Sequence, residues 1–364
     1  MRTRAAVLFE PGRPIEVREL EVEEPRPDEV VVRMRAVGVC GTDLHSYVGE
    51  WERPTPIVLG HEGAGVVEEV GDAVEGLARG DRVVLSWAPA CGDCGACRRG
   101  RPAACAPLSG AIGRGTLLDG RTGLALDGAT VYRGTATGAL AERVVVAGAA
   151  ALPLGDDLPF EQAALLGCAA LTGVGAVLNA ARLEPEATVL VVGAGGVGQF
   201  VIQGARIAGA AAIVAVDPVE ARRGQALRLG ATHACAPEDL RETVRALDPD
   251  GVDVAFDAVG APETTALCLR WTRGGGRTVL VGLPAGGARL SLDPLDFTNR
   301  EKTLTGTIYG SDDPAVALPR LLELVRDGGL ELASLVGPSY ALDATDEAFG
   351  ASLAGAAGRV LVTP

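Results

Sequence analysis

Eight cysteines punctuate this 364-residue chain, and four of them fall in one short stretch. Cys91, Cys94, Cys97 and Cys105 occupy CGDCGACRRGRPAAC, separated by two, two and seven residues. Four soft ligands so close together match a tetrahedral zinc site, and a closed set of four thiolates leaves no position for substrate. The expected role is structural. A disulfide knot and a redox CxxC are the alternatives. A knot is out of place in a reducing compartment, and a redox pair needs no third or fourth cysteine.

A second chemistry is written in glycine. Val189-Leu-Val-Val-Gly193-Ala-Gly195-Gly196-Val197-Gly198 reads as a strand entering a GxGxxG turn and then a helix. Gly193 permits the tight turn, Gly195 lets the backbone approach a pyrophosphate, and Gly198 allows close helix–strand packing. The helix N-terminus, from Gly196 and Val197 onward, offers free N–H groups to phosphate. Asp217 closes the next strand 19 residues after Gly198. An acid there accepts hydrogen bonds from the ribose hydroxyls of NAD and repels the 2′-phosphate of NADP. Arg222 and Arg223 lie near enough to bear on that choice, and Arg222 is taken as a cofactor contact. The bland alternative is glycine-rich packing beside a solvated loop acid.

Three further residues make a possible ligand set of another kind: Cys40, His61 and Cys168. Two cysteines and one histidine suit a catalytic zinc that keeps its fourth position for water or substrate. Spacing does not identify them, and taken singly each reads more readily as a buried core residue.

The elements that must position these residues fall into two patterns. Up to about residue 150 the chain is β-rich, with Val-rich segments at Glu29–Val37, Gly63–Val70 and Asp81–Leu85 bounded by Gly, Pro or Asp. Ala90–Gly138 shows little periodicity and reads as a long loop that metal ligation would order. From about Leu171 strands alternate with helices. Strands are expected at Thr188–Val192, Ala212–Val216, Asp253–Phe256 and Arg277–Val281, and helices at Gly196–Ala208 and Ala221–Leu229. This rhythm predicts an α/β domain, a doubly wound parallel sheet with helices on both faces. Arg359–Val362 is expected as a last strand.

Composition narrows the function. The formal charge of −14 argues against nucleic acid or an anionic membrane as the main partner. Apolar residues make up 48% of the chain but aromatics only 4%, so Ala, Val and Leu must fill the core. Ala5–Phe9 is too short for a signal-peptide core, and Gln199, Gln203 and Arg206 interrupt the greasy stretch Ala187–Val216. A cytoplasmic protein is expected.

Taken together, GVCGTDLH with GHEGAG, the four-cysteine lobe, GCAALTG, and VVGAGGVGQ with Asp217 resemble the zinc-containing alcohol dehydrogenases of the medium-chain dehydrogenase/reductase superfamily. The likeness spans almost the whole chain. The segment Gly115–Arg121 resembles the longer-looped branch, which holds the animal and plant enzymes and glutathione-dependent formaldehyde dehydrogenase. The resemblance implies a GroES-like, β-rich catalytic domain over residues 1–169, a Rossmann domain over 170–308, and a return to the catalytic domain over 309–364, with the active site in the cleft between them. It implies two zinc ions per subunit, NAD, and an alcohol or aldehyde substrate, in a homodimer or tetramer. Cys40, His61 and Cys168 would hold the catalytic zinc. Thr42 would take the alcohol proton and pass it through the nicotinamide ribose to His45. Asp43 would fix the His61 tautomer, Glu62 would sit behind the metal and bind it transiently, and Trp87 would line the substrate pocket. Arg359 would reach the pyrophosphate.

Two positions depart from the family pattern. Gly41 stands where many relatives carry a basic residue. Ser109 stands where the formaldehyde-dehydrogenase branch has the arginine that grips glutathione, which argues against a glutathione adduct as substrate. Cys235, Cys268 and His233 match no ligand motif. A polyol or amino-alcohol dehydrogenase of the same superfamily is the nearest alternative, and a non-catalytic binding protein on this fold is a more distant one.

Overall fold

The strand Glu29–Gly38 is buried along nearly its whole length and organises the first half of the molecule. It pairs antiparallel with Glu62–Val70, with Arg143–Ala147 and with the C-terminal strand Arg359–Thr363. The computed structural model describes residues 1–364, and the chain divides into two units. Met1–Cys168, Asp313–Leu318 and Leu332–Pro364 form the first, and Ala169–Asp312 with Pro319–Glu331 the second. The tail therefore does not make the single return expected at residue 309.

The first unit is built on two largely antiparallel sheets. One sheet has seven strands including Glu29–Gly38, and the other six including the N-terminal hairpin of Arg2–Leu8 and Glu16–Val22. Valine supplies much of the shared core, with Val30, Val31, Val32, Val144, Val145 and Val146 buried among Leu8, Leu20 and Phe349. β-Branched side chains fit a pleated surface covered on both sides.

Ala90–Gly138 is more ordered than its lack of periodicity suggested. It contains helices Gly95–Arg98 and Ala106–Arg114 and strands Leu124–Leu126, Ala129–Thr130 and Tyr132–Arg133. A buried arginine does part of the work expected of metal alone. Arg133 donates to the carbonyls of Thr122, Thr137 (2.9 Å) and Val145 (3.0 Å). Arg121 adds ion pairs to Glu23, Glu29 and Asp119.

The second unit carries one six-stranded, all-parallel sheet. Its strands are, in chain order, Thr188–Val192, Ala212–Val216, His233–Cys235, Val252–Asp257, Thr272–Leu280 and Thr303–Gly306. Their spatial order is third, second, first, fourth, fifth, sixth, the doubly wound Rossmann arrangement. The fifth strand starts five residues earlier than the sequence indicates, because the glycine run Gly274–Gly276 masked it. Lys302, the single lysine, lies against this sheet with its Nζ donating to Leu269 O (2.9 Å) and paired with Asp296 (3.0 Å).

One helix, Phe160–Ala181, is long and apolar enough to cross a membrane by composition, yet its apolar window is 78% buried within the structure. It is a core helix. Residues Leu166–Ala170 within it wind as a π-helical turn. Such turns re-aim side chains and recur at functional sites.

Candidate active site

That π turn carries Cys168. Gly167 beside it is required by packing, since a Cβ there would stand 2.8 Å from the Leu85 carbonyl oxygen. Cys40 precedes the helix Gly41–Tyr47, and His61 and Glu62 lie at the start of the strand Glu62–Val70. Ligand atoms from Cys40, His61, Glu62 and Cys168 lie within 4.8 Å of one another, and all four residues are buried. Residues spread over 129 positions thus meet at one point.

Asp43 binds this point together. Its Oδ2 accepts the Cys40 N–H (3.2 Å), while Oδ1 accepts the Gly60 N–H (3.0 Å) and lies 3.2 Å from His61 Nδ1. With Nδ1 turned to a carboxylate, His61 presents Nε2 to the sulfurs, the arrangement that second-sphere carboxylates impose on metal-ligating histidines.

The electrostatics suit a cation. The hydrogen bond from Cys168, helped by His61, holds the Cys40 thiol well below its ordinary value, and the same bond holds Cys168 well above. Burial opposes a charged His61, but Asp43 and Cys40 outweigh it and raise its pKa well above the usual value. Burial pushes Glu62 up to about 8, against the pull of Arg359. Neither Glu62 oxygen has a hydrogen-bond partner, although Arg359 Nε stands 3.0 Å from Oε2. The two charges are close but the N–H is not aimed at the oxygen. Buried polar groups are ordinarily paired, so an orphaned carboxylate beside two thiols and an imidazole fits a divalent ion that displaces the shared protons.

The second cluster has a different character. The sulfur-bearing groups of Cys91, Cys94, Cys97 and Cys105 also lie within 4.8 Å of one another. The Cys94–Cys97 sulfurs are 3.5 Å apart and all eight cysteines are free thiols, which removes the disulfide knot. Backbone N–H groups point at the sulfurs: Cys94 N to Cys91 (3.3 Å) and Cys91 N to Cys105 (3.4 Å). The Cys97 N–H and its neighbours draw the Cys94 thiol down to about 6. Thiolate-favouring amides around four sulfurs fit a closed zinc site.

In the second unit the glycine turn is as tight as its sequence required. Gly193 has φ +90°, and a Cβ on Gly198 would fall 1.8 Å from Gly193 O. Gly195 is different, because a Cβ there would meet nothing within 4 Å. No protein atom demands glycine at that point, so the open space before the helix Gly196–Ile207 fits an approaching phosphate. Asp217 is buried and already holds the turn, with Oδ2 accepting from Ala194 N (2.9 Å) and Oδ1 from Val219 N (2.9 Å). Arg222 Nη1 lies 3.8 Å from Asp217, whereas Arg223 Nη1 donates to the carbonyls of Asp217 (2.8 Å) and Pro218 (2.9 Å). Gln199 was not singled out in the sequence. Its Nε2 clamps the turn through Ala194 O (2.9 Å) and Arg222 O (3.1 Å).

Thr42 and His45 stand three residues apart on the helix Gly41–Tyr47 and therefore share a face. Trp87 is buried two residues beyond the strand Arg82–Leu85. Arg359 is engaged inside the first unit, donating through Nη1 to Val39 O (3.0 Å) and facing Glu62. Its pairing with Glu62 could have been anticipated only by knowing that the C-terminal strand joins the sheet containing residue 38.

Residues 26–156 match the family described as the alcohol dehydrogenase GroES-like domain, and residues 196–326 match the zinc-binding dehydrogenase family. A Mycobacterium tuberculosis protein that bears the name alcohol dehydrogenase D is 38% identical over 357 residues, covering 96% of each chain. An S-(hydroxymethyl)glutathione dehydrogenase of Synechocystis is 34% identical, also over 96% of each. Among solved structures, benzyl alcohol dehydrogenase from Acinetobacter calcoaceticus superposes with a TM-score of 0.93 at 32% identity, over 100% of this chain and 99% of that one. A zinc-binding dehydrogenase from Sinorhizobium meliloti, solved with NADP bound, gives 0.82 at 28% identity over the full length of both. With its GroES-like and Rossmann domains and its two thiolate clusters, the chain belongs to the zinc-containing alcohol dehydrogenase family of the medium-chain dehydrogenase/reductase superfamily.

Proposed function

We propose that this enzyme catalyses the reversible, NAD-linked oxidation of a primary or secondary alcohol to an aldehyde or ketone, with one catalytic and one structural zinc per subunit. The observation that carries the reading is the buried meeting of Cys40, His61, Glu62 and Cys168, with a Glu62 carboxylate that no hydrogen bond satisfies.

Cys40, His61 and Cys168 hold the catalytic ion, with Glu62 as a carboxylate in reserve. Zinc bound there supplies Lewis acidity, lowering the pKa of an alcohol toward neutrality. The nicotinamide supplies the hydride acceptor. Asp43 keeps the His61 proton on Nδ1, and Arg359 offsets the charge of Glu62. Thr42 Oγ1 takes the alcohol proton, and His45, on the same helix face, carries it toward solvent. The amides after Gly195, at Gly196 and Val197, seat the pyrophosphate. Asp217 meets the adenosine ribose and disfavours a 2′-phosphate, with Arg222 at its edge. Trp87 lines the substrate pocket, and Cys91, Cys94, Cys97 and Cys105 close around the structural zinc.

A second substrate reading, oxidation of a glutathione adduct, is favoured by the Synechocystis relative. Ser109, exposed on the helix Ala106–Arg114, speaks against it. The enzyme acts in the cytoplasm as a homodimer or tetramer. Supporting an assembly, Thr303–Gly306 is an edge strand, and Leu295 nearby in sequence is 62% exposed.

The test is a panel of alcohols, aldehydes and S-hydroxymethylglutathione assayed by NADH absorbance with zinc-loaded protein. A simple alcohol should be oxidised and the glutathione adduct should not outpace it. Failure to reduce NAD with any of them would refute the reading.

A further inference from the structure

The helix Gly41–Tyr47 ends at His45's turn, and the chain then doubles back. Gly49 makes the reversal at φ +82°, and the Trp51 N–H bonds to His45 O (3.2 Å). Two side chains from this loop consequently return to the imidazole. Glu50 Oε2 lies 2.5 Å from His45 Nδ1. The Trp51 indole stacks on the ring, centroids 4.7 Å apart and planes 16° from parallel. Arg53 also packs on this indole, its Cζ 5.4 Å from the centroid and its Nη1 donating to Ile112 O (3.2 Å). The ring is gripped at one nitrogen and one face.

Resting on the relay assigned to Thr42 and His45 above, we propose that Glu50 is a positioning residue for proton release: it keeps hydrogen on His45 Nδ1 and so leaves Nε2 as the nitrogen that receives the proton. A carboxylate in this place acts twice. It selects one of two neutral tautomers, which differ in which nitrogen can accept. It also stabilises the imidazolium formed once Nε2 is protonated. That cation then gives one proton to water or buffer and the neutral ring is restored. Partial exposure suits this release, with the His45 side chain 22% exposed and Glu50 47% exposed.

Glu50 faces Nδ1, and Arg53 lies against the Trp51 indole. Asp43 on the same helix is turned to Cys40, Gly60 and His61. Tyr47, two residues on, is paired with Asp346 from the helix Thr345–Leu353 (3.0 Å).

The chain has only three histidines, so His45 can be observed directly in the zinc-loaded enzyme with nitrogen-15-labelled histidine. Its resonances are assigned by their loss in His45→Gln. In its neutral form, wild-type His45 should carry hydrogen on Nδ1. Glu50→Gln replaces the acceptor by an amide that can also donate to Nδ1, and should put part of the neutral ring's hydrogen on Nε2. Glu50→Ala should also scramble the tautomer and cut kcat about tenfold with little change in KM, and Glu50→Asp should recover part of it. Adding Glu50→Gln to His45→Gln should cost nothing further.

Hydrogen on Nε2 in the wild type, or an unchanged Nδ1 tautomer in Glu50→Ala, would overturn the proposal. So would a full effect of Glu50→Gln in the His45→Gln background, since Glu50 would then act by another route. A wild-type enzyme that oxidises no alcohol would instead sink the functional reading, a result distinct from any of these.

Discussion

Arg359 Nε stands 3.0 Å from Glu62 Oε2, and these two buried ionisable groups face each other without an aligned hydrogen bond. Removing one partner of a buried pair leaves an uncompensated charge and commonly costs about 3–5 kcal/mol. Above about pH 8, where Glu62 is ionised, Arg359→Met should therefore destabilise the protein strongly, and Glu62→Gln in the same chain should recover much of the loss. Denaturant unfolding of the two variants checks this.

The same carboxylate sets a pH dependence in chelator-treated, zinc-free protein. Burial raises the folded pKa of Glu62 from 4.5 to about 8, so the folded state holds a proton that the unfolded state has released. Stability falls with rising pH wherever the native state binds more protons. Its contribution should be intact below pH 4.5 and be lost progressively up to about pH 8. Glu62→Gln should flatten that decline, as read from midpoints of urea unfolding.

Elemental analysis should find close to two zinc ions per chain. Cys94→Ser breaks the closed cluster and should either prevent soluble expression or sharply lower the melting temperature, because a closed thiolate site contributes folding free energy directly. One zinc per chain, with Cys94→Ser melting normally, would remove the structural site.

Cofactor choice turns on Asp217, which also anchors the amides of Ala194 and Val219. Asp217→Asn keeps an acceptor for one amide while removing the charge, and is a cleaner probe than Asp217→Gly. The ratio of kcat/KM for NAD over NADP should exceed one in the wild type and fall about tenfold in Asp217→Asn, the loss of about 1.4 kcal/mol of discrimination. A wild type that prefers NADP would show that Arg222 outweighs Asp217.

Zinc ligands and relay residues should separate in kinetics. Cys40→Ser and His61→Ala should remove nearly all turnover. Thr42→Ala should lower kcat steeply with zinc content unchanged, and Thr42→Ser should stay active. His45→Gln should be milder, about ten- to a hundredfold, and imidazole buffer should restore part of it. Alcohol oxidation by Thr42→Ala at the wild-type rate, with zinc in place, would exclude the hydroxyl relay.

Motifs whose chemistry is local were legible in the chain. The glycine turn, the four-cysteine lobe and the strands Thr188–Val192 and Ala212–Val216 lie where spacing and pattern place them. Features that depend on burial from every side were not. The helix Phe160–Ala181 has no polar face and hence no helical period to read, and its π turn has no sequence mark. Arg133 reads as a surface charge until three carbonyls are seen to surround it. Glu50 and Trp51 look like ordinary loop residues, because their meeting with His45 depends on the reversal at Gly49.

The burial of Lys302 reaches beyond stability. With its side chain 2% exposed and its Nζ tied to Leu269 and Asp296, the single lysine is closed to amine-reactive reagents in the native protein. A lysine-specific protease has one bond to cut, between Lys302 and Thr303, and reaching it requires opening the sheet that carries the dinucleotide turn. Cleavage at that bond is a built-in reporter of when the nucleotide-binding domain comes apart.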